Sequence, residues 1–156
     1  MRAALIVFCL TIATPASAQS LYVDQNYVRA CHASAAVAET APRCLGQAAN
    51  QCQRLPGGGT TIGIVECVQG ETAVWDALLN AEYGATRAAY RAGGGGLADA
   101  LLTAQRAWIA FRDAECGLQY TRWQGGTIRS VVHANCMLGF TSTRAIELRD
   151  MRGDGS

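Results

Sequence analysis

The stretch AQRAWIAFRDAEC, Ala104 to Cys116, decides the fold. On a helix its Gln105, Trp108, Arg112 and Cys116 are successive neighbours at spacings of three and four. Arg112 then lies between a large aromatic ring and a disulfide cysteine. That is a costly place for a lone guanidinium, so a carboxylate or several carbonyls should meet it. Asp76 or Glu71 is the expected partner. An earlier stretch offers a matching face, with Glu71, Trp75, Leu79 and Tyr83 at comparable spacing. Two helices packed on these faces, with Asn80 hydrogen-bonded nearby, make Glu71, Trp75, Asn80, Tyr83, Gln105, Trp108, Arg112 and Asp113 a structural cluster.

The same period extends outward. Ala, Leu and Arg are common and β-branched runs are scarce, which favours helices over strands. Asp24 is placed to cap a short helix through about Val37, ended by the turn Glu39-Thr40-Ala41-Pro42. Leu45 to Gln53 makes a second. Pro56-Gly57-Gly58-Gly59 is a loop, because successive glycines lose too much backbone freedom to continue a helix. A long helix starts at Gly63 or Val68 and runs to Arg91, its apolar face Val68, Trp75, Leu78, Leu79, Tyr83 and Tyr90, with Thr86 at the edge. After Gly93 to Gly96 another runs from Leu97 to about Trp123, its apolar residues Leu97, Leu101, Ala104, Trp108 and Phe111 repeating every three or four residues. Gly125-Gly126 stops it. Thr127 to Leu138 reads as a third long segment, and Thr141, as N-cap, opens a final helix to Met151. The fold class expected is all-α, a small disulfide-stabilised bundle of antiparallel helical hairpins.

The opening MRAALIVFCLTIATPASA has the pattern of a secretory signal: a positive start at Arg2, an apolar core from Leu5 to Ile12, and small residues Ala16-Ser17-Ala18 for cleavage. The apolar run is too short for a stop-transfer helix. Cys9 would leave with residues 1–18, and no lipobox cysteine adjoins the cleavage site. Residues 19–66 read as a Cys-rich helical extension, 67–150 as the main helical domain, and 151–156 as a flexible tail. A periplasmic or secreted product, without an integral membrane segment after cleavage, is expected.

Of the seven cysteines in the chain, six then remain: Cys31, Cys44, Cys52, Cys67, Cys116 and Cys136. An even count in a small exported domain reads as a disulfide framework. Fifteen pairings are possible. Cys44 and Cys52, about 12 Å apart along a continuous helix, are too far apart to bond to one another. Spacing favours Cys31–Cys44, Cys52–Cys67 and Cys116–Cys136: one closes a small hairpin, one fastens it to the long helix, and one ties the last long segments together. Zinc is disfavoured, since no CxxC pair begins a site and the adjacent Cys31 and His32 cannot point into one cavity without a bend.

Composition narrows function. All 13 basic residues are Arg, set against 12 acidic ones, and no basic block advertises nucleic-acid or anionic-membrane binding. HExxH, G-x-S-x-G and P-loop motifs are missing. Ser130, His133 and Asp113 can be drawn as a nucleophile set, but no oxyanion site goes with them. Asp113 and Glu115 fall on different helix faces, which argues against a glycosidase pair. A noncatalytic domain without cofactor or metal is expected.

Several of these pieces together resemble the family of small exported proteins built around the N-terminal domain of the lysozyme inhibitor LprI. They are Cys67, Leu79-Asn80-Ala81-Glu82-Tyr83, the Ala104–Cys116 block, Gly125-Gly126-Thr127, Cys136, Thr143-Arg144 and Glu147-Leu148. Thr127 stands where serine is common, and Met137 where leucine is common. The resemblance implies an all-helical, disulfide-linked domain outside the cytoplasm, with lysozyme or another envelope protein as partner. It implies a protein surface that occludes the lysozyme cleft; the alternative is a structural or interaction module of the cell envelope. Glu66, Glu71, Asp76 and Glu82 are candidates for an acidic patch facing a basic lysozyme, and the loop Pro56 to Thr61 for the element entering its cleft.

Overall fold

The computed structural model describes residues 20–153. The signal-like segment 1–18 and residues 154–156 lie outside the described residues. The order is α1 (Gln25–Ser34), α2 (Gln47–Cys52), α3 (Thr61–Gly93), α4 (Leu97–Arg122) and α5 (Ile128–Asp150), and no strand occurs among the described residues. Gln105 meets Arg144, and Cys116 meets Cys136, so α4 and α5 run antiparallel. The most extensive packing is α3 on α5, and α4 touches α3 far less. This asymmetry leaves a seam between α3 and α4.

Local chemistry sets the helix starts. The Asp24 carboxylate accepts from the backbone N–H groups of Asn26 and Tyr27 and caps α1. The Thr60 hydroxyl accepts from the Gly63 N–H at 3.0 Å, so α3 begins at Thr61, ahead of the start read from the apolar period. α1 ends at Ser34 instead of reaching Val37, because Ala35 is extended and Ala38 has a positive φ of 63°. The strained Ala38 is held by its N–H, which donates to Asp150 Oδ2 at 2.9 Å.

Two expectations are corrected. Thr127 to Leu138 and Thr141 to Met151 are a single helix, α5, and Thr141 is a buried mid-helix residue, not an N-cap. Gly139 costs such a helix about 1 kcal/mol. The continuous buried stripe of Leu138, Ala145, Ile146 and Leu148 outweighs that, since tertiary burial and not propensity holds most helices. The inward face of α4 is also narrower than expected. Ala98, Leu101, Gln105 and Cys116 are buried, while Leu97, Ala104 and Phe111 are exposed. Phe111 instead rests edge-on against Phe140, with ring centroids 5.5 Å apart.

The core is centred on Trp75, Val68, Ile146 and Leu148. Disulfides join Cys31 to Cys44, Cys52 to Cys67 and Cys116 to Cys136, the set that spacing favours. The first two stitch the short helices together and onto α3. At the other end Arg152, in the segment read as a tail, is tied to α3 through the Glu82 carboxylate, the Glu82 carbonyl and the Thr86 hydroxyl.

Candidate functional site

The cluster read from the sequence divides into two environments. Glu71 and Trp75 are core. The Glu71 carboxylate accepts from the N–H groups of Gly46 and Ala49, both at 2.8 Å, and from the Trp75 indole N–H at 3.3 Å. α2 has no side-chain cap of its own, so a buried carboxylate from α3 caps it across 22 residues of sequence. Three donors around one carboxylate explain how it tolerates burial.

Asn80, Tyr83, Gln105, Trp108 and Arg112 line an open groove of about 280 Å³ between α3 and α4. Arg112 does not bond to Asp76 or Glu71, which corrects the expected pairing. Its Nε donates to Asp113 Oδ1 at 2.9 Å, and its charge lies 5.1 Å from the centre of the Trp108 ring. Glu71 is spent on α2, and Asp76 is held by its own neighbour, accepting from Asn80 Nδ2 at 3.0 Å. Asp113 itself is exposed on α4. Gln105 turns its carbonyl to the buried Arg144, which also pairs with Glu147.

A second cavity, of about 370 Å³, continues from Asp76 and Arg112 into the seam among α3, α4 and α5. Sequence reading missed its α5 wall, His133, Met137 and Thr141. The signal was the edge stripe of α3, Gln69, Thr72, Ala73 and Asp76, at helical spacing and too polar for core. The Ser130 and His133 drawn together from the sequence separate: His133 lines the seam and meets Tyr120 edge-on, while Ser130 lines a different cavity. Among the described residues no group of three or more His, Cys, Asp or Glu is placed to hold a metal ion. No helix among them is long and apolar enough to cross a membrane.

A larger cavity, about 850 Å³, is an open groove at one end of the bundle. One wall is the start of α3, with Thr60, Ile62 and Glu66. The other is the α4–α5 turn, with Gly126, Thr127 and Arg129. Beside it stands the loop between α2 and α3. The Cys52–Cys67 disulfide clamps the base of this loop. Its backbone is folded on itself: a Cβ on Gly58 would sit 2.6 Å from the Cys52 carbonyl oxygen, and one on Gly63 2.1 Å from that of Gly57. Only glycine permits these contacts. Ile62 stands 73 % exposed at the edge. The acidic patch expected from four carboxylates reduces to Glu66 and Asp76, because Glu71 is buried and Glu82 is tied to Arg152.

Residues 52–148 match the family described as lysozyme inhibitor LprI. A 56-residue stretch is 36% identical to an uncharacterized protein of Rhizobium meliloti (strain 1021), covering 36% of this chain and 40% of that protein. No solved structure matches. The family match spans more than half of the chain, from the cysteine at the base of the clamped loop to the last buried turn of α5, and the chain belongs to the lysozyme inhibitor LprI family.

Proposed function

We propose that this chain is an exported, noncatalytic protein-binding domain that inhibits lysozyme by setting the clamped loop before α3 into the enzyme's cleft. The observation that carries the reading is the preorganisation of the loop. A disulfide closes its base, backbone contacts at Gly58 and Gly63 fix its path, and an apolar side chain stands at its exposed edge. A loop already rigid loses little conformational freedom on binding, so more of its contact energy appears as affinity. Lysozyme works in a cleft with a pair of carboxylates flanking the bond it cuts, and a loop filling that cleft excludes the glycan. Export is supported by the signal-like opening and by the three disulfides, which persist in oxidising compartments. With two exposed carboxylates in place of four, shape and not electrostatic steering carries the interaction.

The test is to titrate oxidised Gln19–Ser156 against c-type lysozyme in a cell-wall lysis assay. Saturable inhibition near one-to-one is expected. Ile62→Asp should weaken it at least tenfold without lowering Tm, because the side chain is exposed and an acid in the first turn of a helix is favourable. Unchanged inhibition by this variant would move the contact off the loop. No inhibition by folded wild-type protein would reject the target. A second reading, an envelope interaction module, is favoured by the outer face of α4, where Phe111 and Leu118 are both more than half exposed.

A further inference from the structure

Along the outer side of α4, Leu97, Ala104, Phe111 and Leu118 form one row, each seven residues from the next. Ala100, Ala107, Ala114 and Thr121 form the row beside it. All of these residues are exposed. The one polar side chain among them, Thr121, donates its hydroxyl to the Gly117 carbonyl at 3.0 Å, so nothing on the rows calls for water. The outer face of a surface helix ordinarily carries charge. Here charges stand only at the margins, Asp99, Arg106 and Asp113 along one edge and Glu115 on the other. From this uncharged double row and its match to itself, we infer that α4 packs antiparallel on α4 of a second copy of this chain, forming a two-fold dimer. This gives the α4 face of the second reading its partner and takes no residue from the clamped loop, so it does not rest on lysozyme inhibition.

The order of side-chain sizes selects this partner. A two-fold axis passing beside Ile109 sets Phe111 against Ala107 of the second copy and Leu118 against its Ala100. Leu97 then meets Thr121, and Ala104 meets Ala114. Each large side chain lies over a small one, so the helices interlock without void or clash. A parallel pairing would instead stack Phe111 on Phe111 and leave gaps between the alanines. The edge charges agree with the antiparallel register. Arg106 is exposed and forms no ion pair among the described residues. Asp113, on the same edge, spends Oδ1 on Arg112 and keeps Oδ2. The two-fold brings Arg106 of each copy beside Asp113 of the other, within reach of the long side chain. Area sets the strength. The rows run about 37 Å along a helix 10–12 Å across, roughly 400 Å² per copy. A standard interface buries about 800 Å² per partner. Half that area supports a reversible dimer, with Kd above about 1 μM, and not an obligate one. A helix of another protein would need the same alternation and the same edge charges, which a second copy has by identity. The contact also closes on itself, so association stops at two.

The experiment is sedimentation velocity of oxidised Gln19–Ser156 from roughly 10 to 500 μM. The weight-average sedimentation coefficient should climb with concentration from the monomer value toward that of the dimer. Ala107→Glu puts an unpaired charge in the middle of the face and should weaken association at least tenfold. Its Tm at low concentration should match wild type, because the site is exposed and glutamate is a good helix former. Arg106→Asp and Asp113→Arg should each weaken association by setting like charges together. An equimolar mixture of those two variants should recover it, since every cross-copy pair again joins opposite charges. Wild-type protein that stays monomeric throughout overturns the inference and leaves the face to a different envelope protein. Unchanged association of Ala107→Glu overturns it by moving the contact off this face, and a mixture that fails to recover overturns the antiparallel register. The wild-type and Ala107→Glu measurements stand even if Asp113→Arg misfolds. Lysozyme inhibition is read separately in the lysis assay, so either reading can fail alone.

Discussion

Glu71 and Asp76 are five residues apart on α3, and the bundle treats them in opposite ways. Glu71 is buried and meets three N–H donors, two of them at the start of α2 (Gly46 just before it and Ala49 within it), so its charge is consumed in holding the disulfide-rich end together. Asp76 is exposed at the rim of the seam that α4 leaves open, where it accepts from Asn80 and forms no ion pair with Arg112. Two carboxylates on one helix thus differ in what packs against them. The tight end of the molecule, with two disulfides and a borrowed cap, has its polar groups answered from within. At the α3–α4 seam Asp76 and Arg112 are answered by neighbours on their own helices, and Asp76 by solvent as well.

The comparison predicts its largest effect at Glu71. Glu71→Ala strips the cap from α2 and leaves the Gly46, Ala49 and Trp75 N–H groups without their acceptor. Removing one side of a buried charged network of this kind costs about 3–5 kcal/mol. Urea unfolding of oxidised protein should show that loss, with α2 amides exchanging fastest. A loss below about 1 kcal/mol would mean that Cys52–Cys67 alone seats α2, and the contrast with Asp76 would vanish.

How much of this was legible in the sequence follows from the range of the interactions. Helices α3 and α4 and the Asp24 cap are written in local spacing, and the cysteine pairing is close to local as well. Glu71 was recognised as a member of the cluster, but its role was not, because its partners are backbone N–H groups of a segment 22 to 25 residues away. No side-chain pattern marks a backbone donor. The break drawn at Gly139–Thr141 failed for a related reason: glycine and threonine look like punctuation until the burial of Ile146 and Leu148 is known. The seam was illegible because it is a product of uneven packing. Spacing predicted the matching faces of α3 and α4, but not that α3 packs chiefly on α5 and far less on α4.

An intermediate effect is expected at His32, which lies on the other side of Trp75 from this comparison, edge-on with centroids 5.8 Å apart. Its Nε2 is buried without a hydrogen-bond partner, 3.7 Å from Glu82 Oε1. Burial pushes its pKa down from 6.5; Glu82 and Asp150 pull it back up, and Arg149 pushes it further down. The folded protein therefore resists a proton that the unfolded chain accepts near pH 6.5. The stability from neutral His32 is fully present above that pH and is lost as the pH falls through 6.5 toward the lower native value. Thermal melts from pH 7.5 to 5.0 should show Tm falling, and His32→Gln should flatten the slope. An equal slope in both proteins would place the acid sensitivity in other groups.

The smallest effect is expected at Arg112. The guanidinium stacks near Trp108 and pairs with Asp113, whose side chain is 55% exposed. An ion pair open to solvent on one side contributes about 0–1 kcal/mol, and a cation over an indole about 0.5–1 kcal/mol when exposed. Glutamine keeps part of the aliphatic stem against the ring. Arg112→Gln should thus cost roughly 1 kcal/mol or less, well below Glu71→Ala, when both are measured by urea unfolding under the same oxidised conditions. If it costs as much as Glu71→Ala, Arg112 is a structural charge after all, buried in a network that the fold requires. Its position beside an open cavity would then reflect packing. If the cost is small, the bundle is keeping a charged, largely covered side chain that it does not need for stability, at the rim of two open cavities.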